Sequence, residues 1–199
     1  SIEEGEELRR IADAKGLKVG SAPDTYLGGS HQYARHLIDS GRIGKVTSGS
    51  AHVLGPGMEM WHPNPDFFFR PGGGPILDMG PYYVNNLVNL IGPVKRVVAM
   101  ANKGKQQRII SNGPRNGETV PVIVDTNVHA ILEFVSGAQV QLTASWDVWA
   151  HRHQNMELYG TEGAIFVPDP NFFGGKVEIA GTDKEAKEVE VWDHPMTRH

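Results

Sequence analysis

Cysteine is absent from the 199 residues, which removes disulfides, thiolate metal ligands and thiol nucleophiles together. A basic balance is absent as well. Lys and Arg number 19 against 23 Asp and Glu, a formal charge of −4, whereas nucleic-acid binders carry a basic face. The densest basic cluster, Lys103, Lys105 and Arg108, lies among Gly and Gln and reads as solvated loop. No apolar stretch approaches the roughly 20 residues a membrane helix needs. Ser1-Ile2-Glu3-Glu4 is acidic and polar, unlike a secretory leader. No Met opens the chain, which suggests a fragment or a processed protein. A G-x-G-x-x-G turn is missing: Gly55-Pro56-Gly57 lacks the third glycine and the strand-to-helix setting. There is no nucleophile elbow. No metal site is expected, because His151 and His153 share a strand face without a third ligand nearby. His31 and His36 miss the i, i+4 spacing at which two helical residues share an ion. A cysteine-free chain fits a reducing cytoplasm.

What is present supports a folded core. Hydrophobic residues make up 39%, ordinary for a globular chain, and the length suits one large domain or one domain with part of another. Ser1 and Glu4 have capping-box spacing at the start of a helix, with Leu8, Ile11 and Ala12 as its apolar stripe and Gly16 as its stop. Leu17-Lys18-Val19-Gly20 then reads as a short strand, the last piece of an open α/β sheet whose other strands are absent. His31–Ser40 is a second helix, ended by Gly41, and Val46–Leu54 alternates as a strand. Gly55–Gly74 is a long loop carrying Trp61, His62, Phe67, Phe68 and Phe69. Loops of that length are most often binding loops or lids.

Gly72-Gly73-Gly74 precedes Asp78, a helix over 78–91 opened by Pro81 and closed by Gly92-Pro93. On that helix Tyr82, Asn85, Asn86 and Asn89 recur at i, i+3, i+4 and i+7, so one face is polar while Tyr83, Val84, Leu87, Val88, Leu90 and Ile91 fill the rest. A flexible loop, a carboxylate and a polar stripe read as one wall of a polar small-molecule pocket. A solvated asparagine face gives the same pattern, and Asp78 also suits an N-cap. Beyond the helix the chain turns to β: Val94–Ala101, a Gly/Asn-rich loop over 103–120, a hairpin of Asp125–Val135 and Ala138–Trp149, then Asn155–Tyr159, Ala164–Val167, Lys176–Ala180 and Glu188–Trp192. The pattern predicts an α+β domain with a mostly antiparallel, open-faced sheet. Helices cover one face; Gln, Thr, Ser and Trp line the other, which is left free for a second copy.

Three motifs occur in order. Gly-Gly-Gly-x-x-x-Asp78-x-Gly80-x-Tyr82-x-x-Asn85 resembles the Gly-rich Asp-x-Gly-x-His-x-x-Asp segment of the Gfo/Idh/MocA oxidoreductases. Leu37-Ile38-Asp39-Ser40-Gly41-Arg42-Ile43-Gly44-Lys45-Val46 resembles the segment by which that family's chain leaves its cofactor domain. Tyr159-Gly160-Thr161-Glu162-Gly163-Ala164 resembles its Tyr-Gly-Thr-Glu-Gly hairpin. Asp78-Met79-Gly80-Pro81-Tyr82-Tyr83 and Val167-Pro168-Asp169-Pro170-Asn171 point to one branch.

The resemblance implies NAD(P)-dependent dehydrogenase chemistry on a sugar, cyclitol or related polyol. It implies residues 1–24 as the end of a Rossmann domain and 25–199 as a substrate-binding domain that assembles through its open sheet into a homo-oligomer. Asp78 and Tyr82 take the catalytic positions. Tyr82 replaces a histidine, and a phenol, with a reference pKa of about 10, needs a nearby cation to act as a base at neutral pH. Asn85 replaces an aspartate and can orient a hydroxyl without taking its proton. Trp61, His62, Asn85 and Asn86 are the substrate-binding candidates. Asp24, Thr25 and Tyr26, just after the short strand, are the cofactor-binding ones, because open α/β sheets hold ligands there. NAD or NADP is expected in the whole protein and not on this chain alone, which is expected to be inactive by itself. A non-enzymatic sugar-binding or assembly module is the competing expectation.

Overall fold

A computed structural model describes residues 1–196. Helix α1 spans Ile2–Ala14 and starts on the box its sequence spells. The Ser1 hydroxyl accepts the Glu4 N–H at 3.2 Å, and the Glu4 carboxylate takes the Ser1 amine at 2.5 Å. Of its apolar stripe only Ala12 is buried, while Leu8 and Ile11 stay exposed. Residues 17–20, expected as a strand, are irregular and exposed. A strand is completed by ladder bonds to a neighbour, and no strand of the sheet lies beside this one.

Helix α2 spans Gly29–Asp39, and strand β1 spans Val46–Leu54. The long loop that follows holds two 3-10 turns, Met58–Met60 and Pro65–Phe69. The helix expected over 78–91 is two helices, α3 (Pro75–Asp78) and α4 (Gly80–Ile91), broken at Met79. Pro81 explains the break: it has no N–H to return to a preceding turn, and its ring crowds the carbonyl there. Strands β2 (Val94–Asn102), β3 (Gln107–Ile109), β4 (Thr119–Pro121), β5 (Asn127–Phe134) and β6 (Gln139–Ser145) follow. The chain then adds β7 (Met156–Gly160), β8 (Ala164–Val167), β9 (Val177–Ala180) and β10 (Lys187–Val189).

Eight strands form one sheet in the order β10-β9-β8-β7-β1-β6-β5-β2. Every pairing is antiparallel except β1 with β6, which runs parallel from Ser48↔Gln139 to Leu54↔Ser145. Alternation sorts the two faces. Leu132, Val140, Leu142, Leu158 and Ile165 point to the side covered by α2 and α4, where Ala34, Leu37, Tyr83, Leu87 and Leu90 complete the main core. Each such Leu or Ile contributes about 1.5–3 kcal/mol by leaving water. The other face carries Ser48, Ser50, Gln139, Gln141 and Ile131, which no helix covers among the described residues; at its end the 148–153 segment folds over the buried His52 and Thr143, with His153 stacked on His52. At its edge β2 is exposed along almost its whole length, Val98 and Met100 included.

The loop expected over 103–120 is more ordered than its Gly/Asn content implies. Strands β3 and β4 pair within it, and a second apolar cluster forms around Phe68, Phe69, Ile110, Val120, Val122 and Trp146. Arg108, expected in solvent, is 2% exposed. Strands of three residues are too short for alternation to register, and the carboxylates that pair with Arg108, on Glu59 and Asp147, lie far away in sequence.

Candidate functional site

Asp78 is delivered by a turn that only glycine permits. Gly72 and Gly74 adopt φ of +92° and +89°. A Cβ on Gly73 would stand 2.4 Å from the Phe68 carbonyl oxygen, closer than packed atoms tolerate. The turn therefore seats against the Pro65–Phe69 segment, and Gly74 N–H donates to Phe68 O at 2.7 Å. Helix α3 leaves from there and ends on Asp78.

The Asp78 side chain is half-buried and has no hydrogen-bond partner among the described residues. It does not cap α4, whose N-cap is Met79. Burial pushes its pKa above the ordinary carboxylate value. It opens onto a recess of about 400 Å³. Leu54 and Ser145 from the ends of β1 and β6, Met58 and Trp61 from the long loop, Trp146, Met79 and Asn171 form most of the rest of its wall, together with Phe68. Asp78 is the one ionisable residue of that lining.

The aromatic wall is held by a buried ion cluster. Arg108 donates to Glu59 Oε1 at 2.9 Å, to the Pro56 carbonyl at 2.9 Å, to the Trp146 carbonyl at 3.0 Å and to the Asp147 carboxylate, with its guanidinium over the Phe69 ring. It thereby ties the Pro56–Glu59 stretch to the end of β6. Met58 and Trp146, both recess residues, sit at the two ends of that tie.

The other predicted residues fall in several places. Trp61 is on the recess and 57% exposed. His62 lies behind it, with its ring edge-on to Phe67 and Phe68 and its Nδ1 accepting the Asn64 N–H at 3.1 Å. Tyr82 is half-buried against the main core and is not on the recess lining; neither is Asn85.

Asn86 is fully buried between α2 and α4, so the structure corrects its placement on a pocket wall. Its amide donates to His31 Nδ1 at 3.0 Å, and His31 Nε2 donates to Phe172 O at 2.8 Å. A carbonyl only accepts, so the proton is on Nε2 and the ring is neutral. Asn89 continues the stripe, with its side-chain oxygen accepting from Gln32 at 3.4 Å and its carbonyl accepting from Arg35. The polar stripe of α4 is thus answered largely by a second helix. Near the chain start, the Thr25 hydroxyl is buried and donates to Pro170 O at 2.5 Å, and Tyr26 uses its carbonyl to accept from Gln32. Asp24 precedes the turn without capping it.

Burial holds the pKa of His31 below the usual histidine value. Below about pH 6.5 the unfolded chain takes up a proton that folded His31 refuses. Stability is therefore full above that pH and is lost as the pH falls toward the depressed folded value. The melting temperature is expected to drop between pH 7.5 and 5.5, and His31→Gln to flatten that slope. An unchanged slope in the variant would contradict the neutral, buried assignment.

Sequence reasoning missed Asn171, Ser145, Met58 and Trp146 as recess residues. They come from three separate segments, and only Asn171 stood in a motif that had been singled out.

Residues 31–166 match the family model described as the GFO/IDH/MocA C-terminal domain. An uncharacterized oxidoreductase of Schizosaccharomyces pombe is 29% identical over 144 residues, covering 64% of this chain and 38% of that protein. Among solved structures, an NAD binding oxidoreductase from Klebsiella pneumoniae superimposes with a TM-score of 0.74 at 22% identity over 95% of this chain and 51% of its own. The apo form of levoglucosan dehydrogenase gives 0.69 at 25% identity, over 96% of this chain and 53% of its own. The transcriptional regulator Gal80p of Kluyveromyces lactis gives 0.79 at 15% identity, over 99% of this chain and 51% of its own. The chain spans about half the length of these solved relatives. A match over residues 31–166, the eight-stranded sheet with helices on one face and the glycine turn that delivers Asp78 agree: the chain belongs to the GFO/IDH/MocA family.

Proposed function

We propose that the whole protein is an NAD(P)-dependent oxidoreductase of a sugar, cyclitol or related polyol, and that this chain is its substrate-binding and assembly portion. Residues 1–24 are read as the end of the coenzyme domain and 25–199 as the substrate domain. The observation that carries the reading is Asp78: a half-buried, unpartnered carboxylate facing a recess walled mainly by apolar side chains, two tryptophans among them, with Ser145 and Asn171 as its small polar groups. Names of structural relatives agree in kind, since levoglucosan dehydrogenase and an aldose-aldose oxidoreductase act on sugars.

The described residues do not make a nucleotide cradle. The Thr25 hydroxyl is spent on Pro170. The start of α2, the other glycine-opened helix, is closed by the Phe173 backbone, whose oxygen would stand 2.0 Å from a Cβ on Gly28. The coenzyme is accordingly assigned to residues outside this sequence. When bound, the nicotinamide supplies the hydride acceptor or donor. This chain's share is proton handling and orientation. Asp78 takes the hydroxyl proton, and its raised pKa makes it a stronger base than an ordinary carboxylate. Trp61 lies against an apolar sugar face. Tyr82 takes the second catalytic place and Asn85 a substrate place on family position alone, and His62 a substrate place from its position beside Trp61 on the long loop.

The free sheet face is assigned to a second copy of the chain. Sedimentation velocity of the full-length protein is expected to give a dimer or larger species, and a strict monomer at high concentration would contradict this. A cytoplasmic setting goes with the reading; no helix among the described residues is long and apolar enough to cross a membrane.

One observation favours a second reading, a sugar-binding or assembly module without catalysis: Asp78 is the sole ionisable residue on the recess lining. The full-length protein assayed with a panel of polyols and both coenzymes separates the two. Coenzyme reduction with any of them supports the enzyme, and binding without reduction supports the module.

A further inference from the structure

The run Val167-Pro168-Asp169-Pro170-Asn171 is a loop after β8, and the fold spends an unusual number of bonds on holding it still. Asp169 Oδ1 accepts the Asn171 backbone N–H at 3.0 Å and the Tyr83 hydroxyl at 3.1 Å. Tyr83 is itself fixed from the far side by the Asn155 amide at 3.0 Å. Pro170 O takes the buried Thr25 hydroxyl at 2.5 Å, Phe172 O takes His31 Nε2 at 2.8 Å and Gly175 O takes the Ser30 hydroxyl at 2.7 Å. The residues on both sides of Asn171 are therefore bonded to α2, to α4 or to the turn before α2. The Asn171 side chain alone is left without a hydrogen-bond partner among the described residues, and it lies on the Asp78 recess. A third polar side chain of that lining, Ser145, is committed to Asn127. Asp78 and Asn171 are thus the two side chains of the lining with an unpartnered oxygen to accept a hydrogen bond, whereas the Trp61 and Trp146 indoles can only donate.

We propose that Asn171 is the specificity-determining residue of the recess: a clamped amide that reads one hydroxyl of the polyol while Asp78 engages the reacting one. This rests on the oxidoreductase reading given above. An amide suits the task because it both donates and accepts, so it pairs with a hydroxyl in either orientation and carries no charge to desolvate. Clamping matters because a fixed partner spends no ordering entropy when substrate arrives. A site built to pair with a hydroxyl then penalises an analogue lacking it, since the amide is left unpaired.

The experiment measures kcat/KM of the full-length enzyme for its best polyol and for each single-deoxy analogue. The parent is expected to discriminate strongly against one deoxy position beyond the reacting carbon. Asn171→Ala is expected to lose about tenfold of that discrimination, the worth of one good hydrogen bond, with the loss mainly in KM. Asn171→Asp, the same size, guards against a folding defect and is expected to shift the same deoxy position. If both variants keep the parental discrimination while Asp78→Asn still abolishes turnover, the inference is overturned and the oxidoreductase reading stands. If Asp78→Asn also turns over normally, the reading falls and the inference falls with it.

Discussion

Replacing Asp78 by Asn in the full-length oxidoreductase is expected to lower turnover by roughly 10²–10⁴-fold, the usual worth of a positioned general base. The change keeps shape and polarity and removes only the capacity to take a proton. Coenzyme affinity is expected to stay near the parental value, because the recess lining contains no nucleotide-binding feature. The size of the effect follows from isolation: Asp78 is the one ionisable residue on the recess, so no neighbouring side chain of this chain takes over. Its raised pKa adds a pH signature. Activity in the oxidising direction is expected to fall as the pH drops through that raised value, at a higher pH than an ordinary carboxylate would cause. Steady-state rates across pH 4 to 8 check both statements. A variant as active as its parent would remove Asp78 from the chemistry.

Arg108→Met is expected to destabilise the fold by about 3–5 kcal/mol, the cost of leaving a buried carboxylate without its partner. Glu59 is 4% exposed, and one of its carboxylate oxygens already has no hydrogen-bond partner. Removing the guanidinium leaves the whole charge uncompensated. Two backbone carbonyls, at Pro56 and Trp146, lose their donor in the same step. For a chain of this size the change corresponds to roughly 6–20 °C in melting temperature. Lysine is expected to recover little, because one ammonium on a flexible stem does not span two carboxylates and two carbonyls in different directions. Calorimetry of parent, Arg108→Met and Arg108→Lys reads the outcome. A loss under about 1 kcal/mol in the Met variant, the range of an exposed pair, would show that the cluster is solvated.

How far the fold was legible depended on distance along the chain. Val46–Leu54 and Ala164–Val167 were read to the residue, because alternation and turn glycines are local signals. The α4 stripe was also seen correctly as a pattern. Its meaning was not, because whether Asn86 faces solvent, a ligand or His31 depends on a helix over fifty residues earlier. Arg108 fails in the same way: a Gly/Gln-rich context describes its neighbours in sequence, while Glu59 and Asp147 decide its environment. Leu17–Gly20 shows the converse, a strand-like sequence with nothing in the sheet to pair with. At the site, Asp78 and Trp61 were identified and are on one recess, whereas Asn171 and Trp146 become neighbours only through tertiary folding. Those two could not be found by spacing, although Asn171 stood in the 167–171 run that pointed to one branch of the family.

The most direct test is a structure of the full-length protein with nicotinamide coenzyme and a polyol that it turns over. The account predicts the reacting hydroxyl within about 2.6–3.2 Å of the Asp78 carboxylate, hydrogen-bonding distance for a proton acceptor, with Trp61 alongside the sugar. A polyol bound productively elsewhere, with Asp78 facing only solvent, would contradict it.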